Sequence, residues 1–252
     1  MRFLLAVTLA LAAYLGVAAQ VKKPMPAPVK VPFSKSLQAV VVTTPDWTSV
    51  IGTARLFERK SAKGAWKATG ESFPIVVGRS GLGWSRDTAP EKVTEFKQEG
   101  DGKAPAGMFP LTFAFGSGTK AESVALPYTK LDENTECVDD VNSFHYNRVV
   151  GRLQVGIFDW KSSEKMLAVG SQYDLGIFVA HNTYPVRKGD GSCIFLHIWK
   201  DSSSGTSGCT AMERKDLERV LAWANPKKNP YLVQLPAEEY TKLSKAWNLP
   251  KL

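Results

Sequence analysis

Residues 193–199 read CIFLHIW, and residues 200–213 continue as KDSSSGTSGCTAME. The first segment is a short apolar run rich in isoleucine and aromatic side chains, which is typical of a buried strand. Serine and glycine dominate the second segment as far as Cys209, which indicates a flexible loop. Such strand ends and loops often carry reactive side chains on a rigid scaffold. His197, near the strand end, and Cys209, at the loop end, are therefore candidate functional residues.

Apolar segments of the same kind recur along the chain, separated by turns rich in glycine and proline. They predict strands near residues 38–44, 52–59, 73–78, 175–181 and 231–235. One helix is well marked, from about residue 211 to residue 224, and residues 91–98 are compatible with a short second helix. Because strands outnumber helices, the sequence predicts a mainly β fold with a few short α-helices.

The N-terminus reads as an export signal followed by a linker. Arg2 precedes a long apolar run that ends in Val17-Ala18-Ala19, so residues 1–19 are a predicted signal peptide cleaved near Ala19. The alternative is an uncleaved anchor. Residues 20–36 carry four prolines and four lysines and predict an extended Pro/Lys-rich linker. The globular domain is then expected over residues 37–236, with a helical C-terminal tail over 237–252.

Composition and charge limit the kinds of molecule that this protein is expected to bind. The 252 residues carry a net charge of +8, spread along the chain without a basic block. Nucleic-acid binding usually needs a concentrated basic patch, so no nucleic-acid partner is predicted. A basic exported chain suits an anionic cell wall or membrane surface, although solubility explains the charge equally well. We expect a periplasmic, cell-envelope or secreted monomer with no stable membrane insertion after signal cleavage.

The chain has three cysteines, Cys137, Cys193 and Cys209. Thiols of exported proteins tend to pair, and an odd number leaves at least one of them unpaired. Cys193 fits either a bridge to Cys137 or a place in the core. We therefore expect one reactive thiol.

The neighbours of Cys209 predict that this thiol is activated. Thr210 and Glu213 form a capping-box pattern at the start of the predicted helix. With Thr210 as the N-cap, Cys209 lies one residue before the helix, where the helix dipole lowers a thiol pKa. Gly208 leaves room for a carbonyl, and the N–H groups of the first turn can stabilise an oxyanion. The alternative is a buried, inert cysteine beside a helix cap.

A thiolate needs a base, and the chain has three histidines. His197 is the first candidate and would form a Cys–His pair with Cys209. His181, at the end of another apolar strand, is the second, although a single histidine at a strand end is more often structural. Cys193 and His197 lie about 13 Å apart along a strand, too far to share a metal ion. No metal or other cofactor is predicted, and the G-x-S-x-G motif of serine hydrolases is absent.

Three motifs together resemble the L,D-transpeptidase catalytic domain family, also called YkuD-like. The first is His197 followed by a glycine-rich loop and T-S-G-C at residues 206–209, similar to the family's S/T-H-G-C. The second is GDGKAPAGMF over residues 100–109, similar to G-D-G-x-T-P-x-G-x-F. The third is the glycine-rich segment GRSGLGW over residues 78–84. The likeness extends over roughly residues 37–236.

The resemblance implies a mixed β-sandwich or barrel-like domain without a cofactor. Cys209 would attack a peptidoglycan stem tetrapeptide, release the terminal D-Ala and form a thioester. The amine of a second stem would resolve the thioester to a 3-3 cross-link, with His197 as the base. Gly208, Ser207 and Thr206 would form or orient the oxyanion site. Substrate-binding candidates are polar residues that can equally be ordinary loop packing: His181, Asn182, Trp199, Asp139 and Tyr146, together with polar residues near 137–148 and 159–166.

Departures from the family pattern indicate a divergent branch. Ser207 stands where the family has His, Ile198 where it has Gly, and Ala211 where it has Arg. Loss of that Arg weakens recognition of a substrate carboxylate. The main prediction is an exported L,D-transpeptidase. The alternatives are a carboxypeptidase or amidase that uses the same Cys–His pair, and a non-catalytic module that binds the cell wall.

Overall fold

The computed structural model describes residues 32–252 of the chain. In this range thirteen strands and two α-helices follow one another along the chain. The strands are β1 Gln38–Thr44, β2 Ile51–Glu58, β3 Lys67–Val76, β4 Leu82–Trp84, β5 Ala104–Gly116, β6 Tyr128–Lys130, β7 Thr135–Val138, β8 Arg148–Gly151, β9 Ser163–Lys165, β10 Gly176–Val179, β11 Phe195–Ile198, β12 Thr210–Met212 and β13 Pro230–Pro236; the helices are α1 Arg214–Trp223 and α2 Ala237–Leu243.

Ten of these strands form one barrel-like sheet. Its order is β10-β11-β12-β3-β2-β1-β13-β5-β4, with β6 paired to β5. Strand β10 also pairs with β5, for example through Ile177 and Ala114, so the sheet closes on itself. Closure removes most unpaired strand edges. The prediction of a mainly β, barrel-like domain with a few short helices is confirmed.

Strand β1 lies in the middle of the sheet and is buried on both faces. It pairs in parallel with β13 and antiparallel with β2, so that Val40 faces both Leu232 and Leu56. All three side chains are almost fully buried. A strand covered on both faces needs a continuous apolar run, and the sequence QAVVVTT supplies one. The place of β1 in the barrel core can therefore be predicted from this one short segment of sequence.

A second sheet of three strands lies in the order β8-β7-β9. Glu136 of β7 is buried and accepts hydrogen bonds from Trp160 Nε1 and Ser163 Oγ, both at 2.7 Å. Burial acts to raise the pKa of Glu136, but hydrogen bonds from Lys165, Ser163, Trp160 and Arg152 lower it to about 2. A disulfide between Cys137 of β7 and Cys193 links this small sheet to the barrel. The bridge that the sequence left open is thus formed, and Cys209 is the free cysteine.

The helix predicted from about residue 211 begins later than expected. Residues 210–212 form β12, in which Ala211 pairs with His197 on one side and with Val76 on the other. Thr210 is no N-cap, because its hydroxyl donates to Gln234 Oε1 at 2.6 Å, and α1 starts at Arg214 after Glu213. Strand pairing on both sides outweighs the local capping pattern. The helix considered for residues 91–98 is also absent, as that segment is irregular.

Packing of the N-terminal segment begins before residue 37. Phe33 lies in a short 3-10 turn and is buried against Trp66 and Tyr231. Arg59 fixes this turn by donating to the backbone carbonyls of Ser36 and Ser34, at 2.6 and 2.9 Å. The predicted signal peptide and the linker up to residue 31 lie outside the described residues. Among the described helices, none is long and apolar enough to cross a membrane.

Candidate active site

Cys209 lies directly before β12, on the side of the barrel that faces the three-stranded sheet. Its Sγ accepts a hydrogen bond from the Phe195 N–H at 3.3 Å and donates to the Cys193 carbonyl oxygen at 3.4 Å. The residue is only 6% exposed. Burial, followed by the charge of Glu164, raises the pKa of the Cys209 thiol to about 12. The predicted lowering of this pKa by a helix N-terminus is wrong, because β12 separates Cys209 from α1.

His197 is on β11, the parallel neighbour of β12. Its Nδ1 lies 2.8 Å from the backbone carbonyl of Ile198. That contact requires a proton on Nδ1 and leaves Nε2 as a proton acceptor. Burial lowers the pKa of His197 to about 4, so the ring is neutral near pH 7. His197 thus lies on β11 with a neutral imidazole, and Cys209 lies directly before β12, the parallel neighbour of β11.

Tyr173 is buried in the same part of the structure as these two candidates. Its ring meets the His197 ring edge-on, with centroids 5.3 Å apart. Its hydroxyl donates to Glu164 Oε2 at 2.8 Å, and the residue belongs to the same buried cluster as Cys209. Burial raises the pKa of Glu164 to about 7 despite the hydrogen bond from Tyr173. A buried tyrosine and a carboxyl group therefore lie in the same region as the thiol and the histidine strand.

The loop before Cys209 is ordered by Thr206. The Thr206 hydroxyl donates to the Cys209 carbonyl at 2.6 Å and accepts from the Gly208 N–H at 3.1 Å. Its backbone pairs with that of Gly78 and Arg79. The Gly208 N–H is therefore already engaged in this conformation, whereas Ser207 is exposed to solvent. Thr206 thus fixes the loop that leads to Cys209, and Gly208 does not present a free donor.

A lysine lies on the other side of Gly208. Lys97 is buried, and its ammonium bonds Asp101 Oδ1 at 3.0 Å. The same ammonium lies 3.6 Å from where a Cβ on Gly208 would sit, and the Lys103 carbonyl lies 3.2 Å from that position. Its positive charge acts to lower the pKa of Cys209. The GDGKAPAGMF segment and the residues just before it thus pack against the loop that carries Cys209.

Of the five predicted substrate-binding residues, His181 and Asn182 are buried and hold loops together. The His181 ring lies 3.0 Å from Ser85 Oγ through Nδ1 and 2.9 Å from the Asp190 carbonyl through Nε2. The Asn182 side-chain amide donates to the carbonyls of Arg187 and Gly191. Their polar atoms are engaged within the protein, and neither residue contacts Cys209. This arrangement matches the alternative of ordinary loop packing.

Tyr146 and Asp139 belong to the region of the three-stranded sheet, Asp139 directly after β7 and Tyr146 between β7 and β8. The Tyr146 hydroxyl donates to Glu99 Oε2 at 2.5 Å, and Ser192 Oγ donates to the same oxygen at 2.6 Å. Asp139 and Glu99 both act to raise the pKa of Glu164. These residues form an acidic surrounding for Glu164. Trp199 follows β11, is half-buried, and bonds the Met212 carbonyl through its backbone N–H.

Sequence reasoning missed Tyr173. Glu164 lay in a polar segment that the sequence assigned to a possible groove, but Tyr173 is the last residue of a 3-10 helix, Met166–Tyr173, that has no recognisable motif. Only the packing of that helix against β7 and β11 brings its ring into the cluster that contains Cys209. A buried tyrosine next to a glutamate could not be anticipated from spacing. In the described residues, no group of three His, Cys, Asp or Glu side chains is arranged to hold a metal ion.

One described cavity, of about 700 Å³, does not include Cys209 in its lining. Aromatic residues Trp47, Trp84 and Phe96 line it, and it shares Asp101 and Lys103 with the segment that packs against Gly208. The guanidinium of Arg86 covers the Phe96 ring at 4.0 Å.

The fold and this site define a barrel-like β domain with a single free cysteine beside a histidine strand. The family model for the L,D-transpeptidase catalytic domain, YkuD, matches residues 56–233. The match covers well over half of the chain, and the protein belongs to this family. Searches of curated proteins and of solved structures find no match. Membership indicates an enzyme type that acts on cell-wall peptides.

Proposed function

We propose that this protein is an exported L,D-transpeptidase that uses Cys209 to cross-link or remodel peptidoglycan. The observation that supports the proposal is that His197 lies on β11 and Cys209 lies directly before β12, the parallel neighbour of β11, inside the family-matched region. The neutral ring and acceptor Nε2 of His197 suit the base of a Cys–His pair. The predicted signal peptide supports a periplasmic or cell-envelope location.

The reaction proceeds in two stages. In the first, the Cys209 sulfur bonds to the carbonyl carbon between the L- and D-centres of a stem tetrapeptide. The C–N bond breaks, the thiol proton passes to the leaving D-Ala amine, and a thioester remains. In the second, the amine of another stem attacks the thioester and returns its proton to the sulfur through His197. The new amide is a 3-3 cross-link, and the cysteine is regenerated.

A hydrolase outcome is the second candidate, and two observations favour it. Ala211 replaces the family's Arg, and its methyl group is buried between strands, where it cannot bind a substrate carboxylate. The Gly208 N–H is engaged by Thr206, so the oxyanion site lacks one ready donor. Both features weaken positioning of a second stem more than attack by water. A carboxypeptidase or amidase would use the same thioester.

The test compares the mature chain, beginning at Gln20, with its Cys209→Ala variant on disaccharide-tetrapeptides. Mass spectrometry separates the products. A dimer lacking one D-Ala, formed only by the wild type, is the expected result. Shortened monomer alone would assign the hydrolase. Equal product from Cys209→Ala would refute the cysteine mechanism. Cys137 and Cys193 stay paired in both samples, so the variant removes the single free thiol.

A further inference from the structure

Arg79 is an exposed cation beside the loop that carries Cys209. Residues 78–81 form a tight β-turn, because the Gly81 N–H donates to the Gly78 carbonyl at 2.8 Å, and Arg79 is the second residue of that turn. The Arg79 backbone N–H donates to the Thr206 carbonyl at 2.8 Å, and the Thr206 hydroxyl donates to the Cys209 carbonyl at 2.6 Å. A single residue, Thr206, thus links Arg79 to Cys209 through two hydrogen bonds.

The segment GDGKAPAGMF holds the same turn from another side. The Ser80 N–H donates to the Gly102 carbonyl at 3.0 Å. A Cβ on Gly102 would lie 3.0 Å from both Cγ and Cζ of Arg79, and a Cβ on Gly205 would lie 2.5 Å from the Arg79 Cα. Glycines in both flanking loops therefore leave the space that Arg79 occupies. The arginine is supported on a fixed turn, as precise ligand binding requires.

The Arg79 guanidinium differs from that of most other arginines in having no partner. Five arginines form ion pairs with carboxylates, namely Arg86, Arg152, Arg187, Arg214 and Arg219. Among residues 32–252, the Arg79 guanidinium takes part in no ion pair and no hydrogen bond. Asp101, next to Gly102, is engaged by the Lys97 ammonium at 3.0 Å and by the Lys103 N–H at 2.8 Å. The charge of Arg79 is thus free to meet an anion from solvent.

We propose that Arg79 binds a carboxylate group of the stem peptide and thereby selects the substrate of the Cys209 reaction. Ala211, which stands where the family has Arg, is buried between strands and cannot bind an anion. Arg79 supplies, from the turn beside the Cys209 loop, the cation that position 211 lacks. A planar guanidinium matches a carboxylate through two parallel hydrogen bonds. The inference rests on the proposed function, because the stem peptide is the substrate of that function.

A stem tetrapeptide offers two carboxylates near the bond that Cys209 attacks. The terminal D-Ala carboxylate is one residue beyond the attacked carbonyl, and one residue spans at most about 3.6 Å. The third residue carries a side-chain carboxylate when it is diaminopimelate. Both groups present the same chemistry to Arg79, so modified peptides are needed to separate them.

The main test compares the kinetics of the wild type, Arg79→Ala and Arg79→Lys with tetrapeptide substrates. We expect Arg79→Ala to lower kcat/KM by about 10- to 100-fold, the usual share of a charged hydrogen bond, mainly through a higher KM. Arg79→Lys keeps the charge but loses the planar fork, so its kcat/KM should be intermediate. A peptide without the recognised carboxylate should be a poorer substrate of the wild type by a similar factor, with no further loss in Arg79→Ala.

Two modified substrates identify that carboxylate. One carries a C-terminal amide on D-Ala, and the other has lysine in place of diaminopimelate. Disappearance of the Arg79 effect with the first peptide assigns the terminal carboxylate, and disappearance with the second assigns the side chain of the third residue. Unchanged kcat/KM in Arg79→Ala, or the same loss on all three peptides, would overturn the proposal.

A second measurement needs no peptide. Iodoacetate carries a carboxylate and iodoacetamide does not, and both alkylate a free thiol such as Cys209. In Arg79→Ala, the ratio of the iodoacetate rate to the iodoacetamide rate should fall by about two- to fivefold, the range for a charge pair exposed to solvent. Lys63→Ala removes the same charge from the turn between β2 and β3 and should change neither this ratio nor kcat/KM. Lys103→Ala removes a cation that packs against Gly83, and an equal fall in this variant would overturn the assignment to Arg79.

The inference and the proposed function can fail separately. If no stem peptide reacts while the alkylation ratio depends on Arg79, the anion site stands and the substrate assignment is wrong. If stem peptides are cross-linked while Arg79→Ala changes neither kcat/KM nor the ratio, the proposed function stands and the inference is wrong. Thermal unfolding checks that each variant folds. Arg79→Gln, which keeps much of the side chain without its charge, replaces Arg79→Ala if the alanine variant does not fold.

Discussion

The backbone of Gly208 has a φ of +155°, a value that residues with an L side chain rarely adopt. A Cβ added there would lie 3.2 Å from the Lys103 carbonyl oxygen, which is tight. Gly208 is buried next to Cys209, and its N–H donates a hydrogen bond to the Thr206 hydroxyl. At position 208, both the backbone angle and the available space require glycine. The position of the neighbouring Cys209 thiol depends on the loop that Gly208 helps to form.

We predict that Gly208→Ala destabilises the protein by about 1–3 kcal/mol, the usual cost of a strained backbone position. The strain would shift Cys209, so product formation should fall more than stability alone explains. Urea unfolding and the stem-peptide assay measure the two effects. Gly118→Ala is the control, because a Cβ there meets nothing within 4 Å and should change stability by less than about 0.5 kcal/mol. Equal effects of the two substitutions would contradict the prediction.

The three-stranded sheet is the element that covers the thiol. It supplies Glu164 from β9 and is tied to the barrel by the Cys137–Cys193 disulfide. The bridged cysteines are 56 residues apart in sequence, so the bond restricts a long loop of the unfolded chain. Several apolar side chains of this region are exposed, among them Phe144 and Ile157. The small sheet therefore depends on its link to the barrel more than on a core of its own.

Replacing both bridged cysteines by alanine should lower the free energy of unfolding by about 4 kcal/mol, from the loop-closure entropy alone. Hydrogen exchange should show the largest loss of protection in residues 135–165, with β1 affected least. The control is Cys209→Ala, which leaves the disulfide in place. Uniform loss of protection across β1 and the small sheet would show that the two sheets unfold as one unit, against this prediction.

For the whole molecule, the domain begins before the residue where the sequence placed its start. Phe33 is 7% exposed and packs on Trp66 and Tyr231, and Arg59 donates to the carbonyls of the same turn. The proline- and lysine-rich composition around this turn predicted a linker, because the composition of a whole segment does not show that one phenylalanine in it is buried. The last residues of that segment pack against the barrel.

Phe33→Ala should destabilise the whole domain by about 3 kcal/mol, the lower end for loss of a buried phenylalanine, since the site is close to the chain surface. Phe144→Ala is the control, because Phe144 is 81% exposed and its loss should be nearly neutral. The midpoint of urea unfolding reports both. Similar midpoints for wild type and Phe33→Ala would place the start of the domain at residue 37, as the sequence alone predicted.

The sequence predicted well where one local cause dominates. The run QAVVVTT forms β1 because its β-branched side chains suit a strand buried on both faces. The predicted helix end near Ala224 was also nearly correct, because α1 ends at Trp223, shortly before Asn225-Pro226. By contrast, His181 was predicted to end a strand, but β10 stops at Val179, and His181 turns inward to bond Ser85.

By itself, the sequence determined the mainly β class, the family, and the candidate pair Cys209 and His197, since these depend on short motifs and apolar runs. Only the tertiary structure decided the surroundings of the thiol. Pairing of Ala211 with two strands displaced the expected helix, and burial raised the Cys209 pKa that a helix N-terminus would have lowered. Tyr173 joins the buried cluster of Cys209 from a distant segment. Solvent exclusion and contacts between remote residues set a pKa, and neither can be read from neighbours in sequence.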